Sequence, residues 1–192
     1  MRFLFLFILF TKSILGFTIS DSLLKIHATL LPKIYLMDYQ YKEKIKNDSI
    51  TIAIVYEKVN FNDAKLLKEK IYQKYKNGIK SYSLDIVLTQ YNKAISADVN
   101  IYYLFPSNTK NIKRAVKQAQ KTESITFSYL KDDLKNGVML SLEIGQKVKP
   151  LLNLKATKLH NISFRPVLLN ISNIYTENPT LSDTSNKTKR VI

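Results

Sequence analysis

The strongest constraint on the fold is an alternation of strand patterns with amphipathic helix patterns between residues 49 and 129. The run "SITIAIVYE" (49–57) is β-branched, aromatic or apolar at nearly every position, which is typical of a strand covered on both faces, as in a parallel sheet. The next segment, 60–77, places apolar residues at helical spacing and ends in Asn77-Gly78. Strands that alternate with helices of this length predict a mostly parallel sheet with helices on both faces.

Three further strands and one helix continue this alternation. The strands are predicted at residues 81–90, 97–105 and 123–129, and the helix at 108–121. A helix before the first strand is predicted to begin at Ser20 or Asp21. The connection between the second and third strands has about seven residues, too few for a helical crossover, so we expect one strand to lie antiparallel at an edge.

The most regular pattern follows, in residues 138–154, and predicts a β-hairpin that turns at Gly145-Gln146. Pro150 has no N–H, so its strand is predicted at an edge or at a break in the ladder. A last strand is predicted at 162–166 and a closing turn of helix at 167–172. One face of the first hairpin strand is predicted to carry Val138, Leu140, Leu142 and Ile144.

The amino terminus reads as an export signal. "MRFLFLFILF" places Arg2 before an unbroken apolar run, and polar residues at 11–13 interrupt that run well before the ~20 residues that a spanning helix needs. We therefore predict a signal peptide at 1–19 and a periplasmic location, with an uncleaved N-terminal anchor as the alternative. Residues 20–175 are predicted to form the domain, and the polar segment 176–192 a disordered tail.

These patterns together predict an α/β fold. It is a single three-layer domain with a mostly parallel mixed sheet plus a C-terminal β-hairpin. The chain has no cysteine, so this domain is expected to rely on its apolar core without disulfides.

The net charge of +15 raises the question of nucleic-acid binding. Only four of the thirty basic residues are arginine, the side chain that base and phosphate recognition favours. The densest basic run, 110–121, has its apolar residues on one helical face and its lysines on the other. We interpret this run as a solvated helix and predict no nucleic-acid partner.

Catalytic and cofactor motifs are absent from the sequence. There is no glycine-rich phosphate loop and no nucleophile elbow, and the chain has four glycines in all. The adjacent acids Asp132 and Asp133 lie in a turn-like segment, where helix capping is the simpler interpretation. His27 and His160 are far apart in sequence and have no paired acids nearby, which makes a poor zinc site. We predict no enzyme activity, no catalytic residue, no cofactor and no bound metal.

Four segments carry a family resemblance: "LLKIHATLLPKIYLMD", "ITIAIVYE", "ADVNIYYLF" and "GVMLSLEIGQKVKPLLNLKATKLHNISFRPVLLNI". In this layout, over about residues 22 to 174, the chain resembles the YfiR-like periplasmic family. The resemblance implies a soluble periplasmic regulator that binds the outer portion of an inner-membrane signalling protein, in the best-known case a diguanylate cyclase. Because the chain lacks cysteine, redox-linked control is not carried over. The positions that match the family pattern are Gly137, Asn153, Ile162, Ser163, Leu168 and Leu169.

The predicted function is therefore a non-enzymatic, protein-binding regulator with a membrane-associated protein partner. The alternative is a periplasmic domain that binds a small-molecule solute. We expect the contact surface at the hairpin and its return, because edge strands offer unpaired backbone groups to a partner strand. The predicted contact residues are Lys147, Lys149 and Arg165, beside apolar positions that we expect to be exposed, such as Met139 and Leu151.

Overall fold

The structure, a computed structural model, describes residues 19–94 and 98–177. Apart from residue 19, the predicted signal peptide lies outside the described residues, and so does the predicted tail apart from residues 176 and 177. The described chain forms an α/β domain around a seven-stranded sheet, which confirms the predicted fold class. Within the two described ranges, none of the helices has the length and apolar character needed to cross a membrane.

The sheet contains β1 (Ser49–Tyr56), β2 (Ser83–Gln90), β3 (Ile101–Leu104), β4 (Ile125–Ser128), β5 (Leu140–Ile144), β6 (Val148–Leu152) and β7 (Asn173–Ile174). Their spatial order is β2-β1-β3-β4-β5-β6-β7. The strands from β2 to β5 in this order are parallel. The predicted hairpin is formed by β5 and the antiparallel β6, and β7 runs parallel to β6.

The helices are α1 (Asp21–Tyr35), α2 (Phe61–Lys74), α3 (Thr109–Lys121), α4 (Leu154–Leu159) and α5 (Pro166–Ile171). Two 3₁₀ turns, Lys58–Asn60 and Lys131–Asn136, follow β1 and β4. α1 and α2 pack on one face of the sheet, and α3 packs on the other face. These are the three layers that the sequence predicts.

Two apolar clusters fill the spaces between these layers. Ile52 and Ile54 of β1 point into the cluster under α1 and α2, whereas Ala53 and Val55 point into the cluster under α3. All four side chains are fully buried. β1 is therefore covered on both faces, as its continuous apolar run predicts.

Asparagine side chains cap the N-termini of two helices, α3 and α4. Asn108 accepts a hydrogen bond from the Asn111 amide (2.9 Å) at the start of α3, and Asn153 accepts one from the Ala156 amide (3.0 Å) at the start of α4. The Asn153 side-chain amide also donates to the Leu134 carbonyl oxygen at 2.9 Å. Each cap satisfies an amide that the helix itself leaves unpaired. Asn153 thereby fixes the end of the hairpin to the turn that precedes it.

The prediction of an antiparallel strand next to the β2–β3 connection is wrong. β2 and β3 flank β1 and are both parallel to it. β3 begins only at Ile101, so the connection comprises residues 91–100, and Tyr91 and Val99 pack in the cluster under α3. The described residues of this connection contain no helix. The connection is longer than predicted, and its described residues pack beside β1 without forming a helix while β2 and β3 both run parallel to β1.

The segment predicted as the last strand, 162–166, is also not a strand. It makes a single bridge, between Phe164 and Asp38, beyond the end of α1. Ile162 and Phe164 are buried because they pack into the core there, and this packing produces the strand-like alternation. The closing helix is confirmed as α5, and the final strand is β7.

Candidate functional site

Two of the three predicted contact residues lie together on the hairpin. Lys147 is in its turn and Lys149 is in β6, and both side chains are exposed. Lys149 lies directly opposite Glu143 of β5, a cross-strand position where opposite charges attract. The turn follows β5, so these lysines lie at the carboxyl end of the sheet, the end at which the parallel strands terminate.

Arg165 is not near these lysines, because it lies at the amino end of the sheet. Its backbone amide donates to the Met37 carbonyl oxygen at 2.8 Å, and its guanidinium carbon is 5.7 Å from the centroid of the Tyr39 ring. α1 reaches the amino end of the sheet here, since the Tyr35 hydroxyl accepts a hydrogen bond from Asn100, just before β3. The structure therefore separates Arg165 from Lys147 by the length of the hairpin.

The predicted faces and burial of the hairpin side chains need corrections at four residues. Val138 was predicted on the face of Leu142, but it packs in the cluster under α3, and Met139, predicted to be exposed, is fully buried in the cluster under α1. Ile144 was expected to share the buried face of Leu142, but 62% of it is exposed. The first residues of β5 are buried between the helical layers, and its last residue is exposed. Leu151, also expected to be exposed, is half-buried.

Exposed apolar side chains are concentrated in the C-terminal part of the domain. Of the thirteen large apolar side chains that are exposed in the described chain, eight belong to residues 144–174. Two of these lie on α4. The other six form what we call the C-terminal apolar surface: Ile144, Val148, Val167, Leu169, Ile171 and Ile174.

These six residues lie on the same side of the sheet as α1. Ile144 pairs with Val148 across the hairpin, and Leu142 pairs with Pro150. Ile144 is two residues after Leu142, so both side chains point to the same side of the sheet. Leu142 belongs to the cluster under α1. α5 packs on that side through Leu168 and presents the rest of its apolar residues outward. Exposed apolar side chains therefore lie both at the hairpin tip and on α5, on one side of the sheet.

The sheet edge beside this surface is only partly covered. β7 pairs with Leu151 and Leu152 alone, so the first three residues of β6 have no strand on that side among the described residues. Pro150 is one of the three and lacks an N–H, in agreement with its predicted edge position. Asn173 of β7 donates a side-chain hydrogen bond to Glu143. The edge thus combines free backbone groups with apolar and charged side chains.

The carboxyl ends of β1 and β3 flank the crevice where doubly wound sheets bind ligands. Here Ser107 and Asn111 both donate to the Glu57 carboxylate, the latter at 2.7 Å. Asn111 also donates to the Ser107 hydroxyl at 3.1 Å. These side chains therefore bond to one another across the crevice. They occupy the positions from which a bound solute would be recognised.

Both histidines are buried and held in separate places. His27 Nδ1 lies 2.6 Å from the Tyr103 hydroxyl oxygen. His27 Nε2 is buried and has no hydrogen-bond partner among the described residues. Desolvation lowers the pKa of His27 to about 3. His160 Nδ1 lies 3.3 Å from the Ser124 carbonyl oxygen, and burial lowers its pKa although this hydrogen bond raises it. In the described residues no three His, Asp or Glu side chains converge into a metal site.

Asp133 is a buried acid with a local structural role. Its carboxylate accepts a hydrogen bond from the Ser128 hydroxyl at 2.5 Å, while the same hydroxyl accepts one from the Leu130 amide at 3.1 Å. Burial raises the pKa of Asp133, and the bond from Ser128 partly opposes that change. The bonds close the turn after β4. The sequence-based interpretation as a helix cap placed Asp133 in the right turn, but its partner is a serine hydroxyl.

The fold and these surfaces define a doubly wound α/β domain with a partly open C-terminal sheet edge. No protein-family model and no curated protein matches the chain. Among solved structures, the fold is similar to a conserved domain protein from Vibrio cholerae O1 biovar El Tor, with a TM-score of 0.55, 12% identity and 80% of this chain covered. An ABC domain in complex with L-Trp from Streptococcus pneumoniae gives a TM-score of 0.47 at 10% identity, over 74% of this chain. The chain spans 60% of the length of each. The first similarity concerns the fold alone, and the second is too weak to support a conclusion.

Proposed function

We propose that this chain is a non-enzymatic protein-binding module that contacts its partner through the C-terminal apolar surface. The observation that carries the proposal is that six of the thirteen exposed large apolar side chains of the described residues belong to this surface. Exposed apolar side chains that are concentrated on one side of a domain are typical of protein interaction sites. Lys147 and Lys149 flank Val148 in the hairpin and place positive charge next to this surface, although the Lys149 side chain points to the opposite face of the sheet.

The partly covered edge of β6 supports a particular binding mode. A partner segment in extended conformation can pair with the free backbone groups before Leu151 while its side chains contact Val148 and Ile171. Arg165 is at the other end of the sheet, so in this mode it contributes less than the two lysines.

The resemblance to YfiR-like proteins supports a regulatory role for this binding. On that basis we propose an exported, periplasmic protein that binds the outer domain of an inner-membrane signalling protein, and no nucleic acid. The predicted signal peptide is part of this proposal. N-terminal sequencing of the native protein tests it, and an intact Met1 in a cytoplasmic fraction would contradict export.

Site-specific photocrosslinking in intact cells tests the contact surface. A photoreactive amino acid is placed at Val148 or Ile171, and a matched control is placed at Val87 of β2. Val87 and Val148 are equally exposed, at 38% each, and both are valines in strands. We expect positions 148 and 171 to yield the same membrane-associated adduct and position 87 to yield none.

Reversing the charges of the predicted contact residues tests which end of the sheet contacts the partner. Lys147→Glu with Lys149→Glu is expected to lower the adduct yield at position 148 more than Arg165→Glu does. Equal adducts at position 87, or no adduct at positions 148 and 171, would contradict the proposed surface.

The alternative function, capture of a small-molecule solute, has less support at the crevice between the carboxyl ends of β1 and β3, where doubly wound sheets bind ligands. The crevice between β1 and β3 is closed by the hydrogen bonds of Glu57 with Ser107 and Asn111. A thermal-shift screen of the purified protein against solute classes tests this alternative. A large shift with one class, lost in Glu57→Ala, would favour capture at this crevice over protein binding.

A further inference from the structure

We propose that α3 and residues 91–94, which follow β2, form a binding site for a small polyanion, a molecule that carries a phosphate or clustered carboxylates. The site is a groove of ≈ 400 Å³ between α3 and residues 91–94. Volumes of about 300–1,000 Å³ are typical of small-molecule sites. Val55 and Tyr91 lie at its base. This site lies on the opposite face of the sheet from the C-terminal apolar surface, and it does not depend on the proposed protein partner.

The groove carries charge of one sign only. Lys93, Arg114, Lys117 and Lys121 line it, and no acidic side chain of the described residues does. Within the described residues, no ion pair engages any of these four cations. A cleft that is lined by cations, beside low-dielectric protein, concentrates anions.

The net charge of the chain alone does not produce such a groove. A second groove, of ≈ 550 Å³ at the amino end of the sheet, also contains lysines, but Glu43, Asp85, Asp98 and Glu123 lie among them. The two grooves are neighbours that share Lys121. The one beside α3 is therefore distinguished by the absence of acids rather than by the presence of lysines.

The charge pattern of α3 is unfavourable without a counter-ion. Lys113, Lys117 and Lys121 follow one another at a spacing of four residues, as do Lys110 and Arg114. Like charges at this spacing are neighbours on the helix surface and destabilise the helix. α3 contains no acid that could offset them. A bound polyanion would remove this repulsion.

Arg114 is held in place for such a ligand. Its Nη2 donates to the Tyr91 carbonyl oxygen and, at 3.3 Å, to the Asn111 side-chain oxygen. Both bonds use the same nitrogen. The remaining guanidinium N–H groups are available to a ligand, and their planar arrangement suits phosphate or carboxylate oxygens. Gln118 adds a neutral donor at the rim.

Calorimetric titration of the purified protein with inorganic pyrophosphate and with citrate tests the site. The groove variant is Lys117→Gln with Lys121→Gln. The control, Lys131→Gln with Lys158→Gln, changes the net charge equally, and all four side chains are exposed. We expect saturable binding that is at least ~10-fold weaker in the groove variant and within about twofold of wild type in the control.

The two probes also distinguish the ligand chemistry. Tighter binding of pyrophosphate assigns the groove to a phosphate compound, and tighter binding of citrate to a polycarboxylate. Equal losses of affinity in the two variants would show that the anion responds to net charge alone and would overturn the site. Absence of saturable binding of both probes at millimolar concentration would overturn it as well.

Discussion

The two edges of the sheet differ in how completely the chain protects them. β2, at one edge, pairs with β1 along all eight of its residues, and Lys68 of α2 donates to its Ile86 carbonyl oxygen at 2.7 Å. Val87 is the only large apolar side chain of β2 that is exposed. β7, at the other edge, has two residues and lies beside the C-terminal apolar surface.

This difference indicates where association is prevented and where it is possible. A long edge strand invites pairing with other chains, and a lysine at the edge is a common way to block it. At the β7 edge, exposed apolar side chains lie beside Lys149 and Pro150, so this edge is only partly protected. The following variants test the contrast between the edges and between the parts of the domain that adjoin them.

The largest effect is expected from Leu142→Asp in the hairpin. Leu142 is 4% exposed within the cluster under α1, where an unpaired carboxylate has no hydration and no partner. The free energy of unfolding should fall by about 3–5 kcal/mol, measured by urea denaturation. Val87→Asp, at the exposed β2 edge, should change it by less than ~1 kcal/mol. An unchanged midpoint for Leu142→Asp would show that this face of the hairpin is not buried.

Acid should destabilise the protein mainly through His27. Its pKa in the folded state, about 3, is below the ordinary value of 6.5, so the unfolded chain takes up the proton first. The free energy of unfolding should therefore decrease as the pH falls from about 6.5 towards about 3, by up to ~1.4 kcal/mol per pH unit.

Variants of the two histidines separate their contributions. In His27→Gln the decrease between these pH values should be smaller, as measured by urea unfolding at a series of pH values. His160→Gln should change the slope less, because the Ser124 carbonyl opposes the lowering of the His160 pKa. An identical pH dependence for wild type and His27→Gln would contradict this assignment.

The attachment of the C-terminal segment to α1 should depend on Asp38. This fully buried carboxylate accepts hydrogen bonds from Lys44 at 3.1 Å and from the Ser163 amide at 3.3 Å. Asp38→Asn should lower the free energy of unfolding by about 2 kcal/mol, because the bonds to a charged acceptor are weakened. Amide hydrogen exchange should quicken in residues 161–165.

An exposed ion pair provides the control for Asp38. Lys46 pairs with Asp98 at the surface, and Lys46→Gln should cost less than ~1 kcal/mol. Equal effects of the two substitutions would mean that Asp38 does not hold the C-terminal segment in place.

The smallest effect on stability is expected at the protected edge. Lys68→Gln removes the charged donor to the Ile86 carbonyl oxygen and should cost less than ~1 kcal/mol. Self-association, measured by sedimentation, should nevertheless increase because the β2 edge becomes less protected. Lys65→Gln, on the same helix but paired with Glu69, is the control. Unchanged sedimentation of the Lys68 variant would show that this lysine does not protect the edge.

Elements with a local residue pattern could be predicted from the sequence. The continuous apolar run of β1 predicted a strand covered on both faces, and the helical spacing of apolar residues predicted α3. The glycine turn at Gly145 predicted the β5–β6 hairpin. These features follow from the repeat of the backbone, 3.6 residues for a helix and two for a strand, which is visible in neighbouring residues.

Which surfaces remain exposed could not be predicted in this way, because exposure depends on how the elements pack together. The alternation predicted Met139 to be exposed and Ile144 to be buried, yet the structure has the reverse, because burial depends on which element lies above each residue. For the same reason Arg165 lies at the opposite end of the sheet from Lys147. The groove beside α3 likewise depends on the packing of residues 91–94, which form no helix. Such arrangements result from contacts between distant parts of the chain, which no local repeat records.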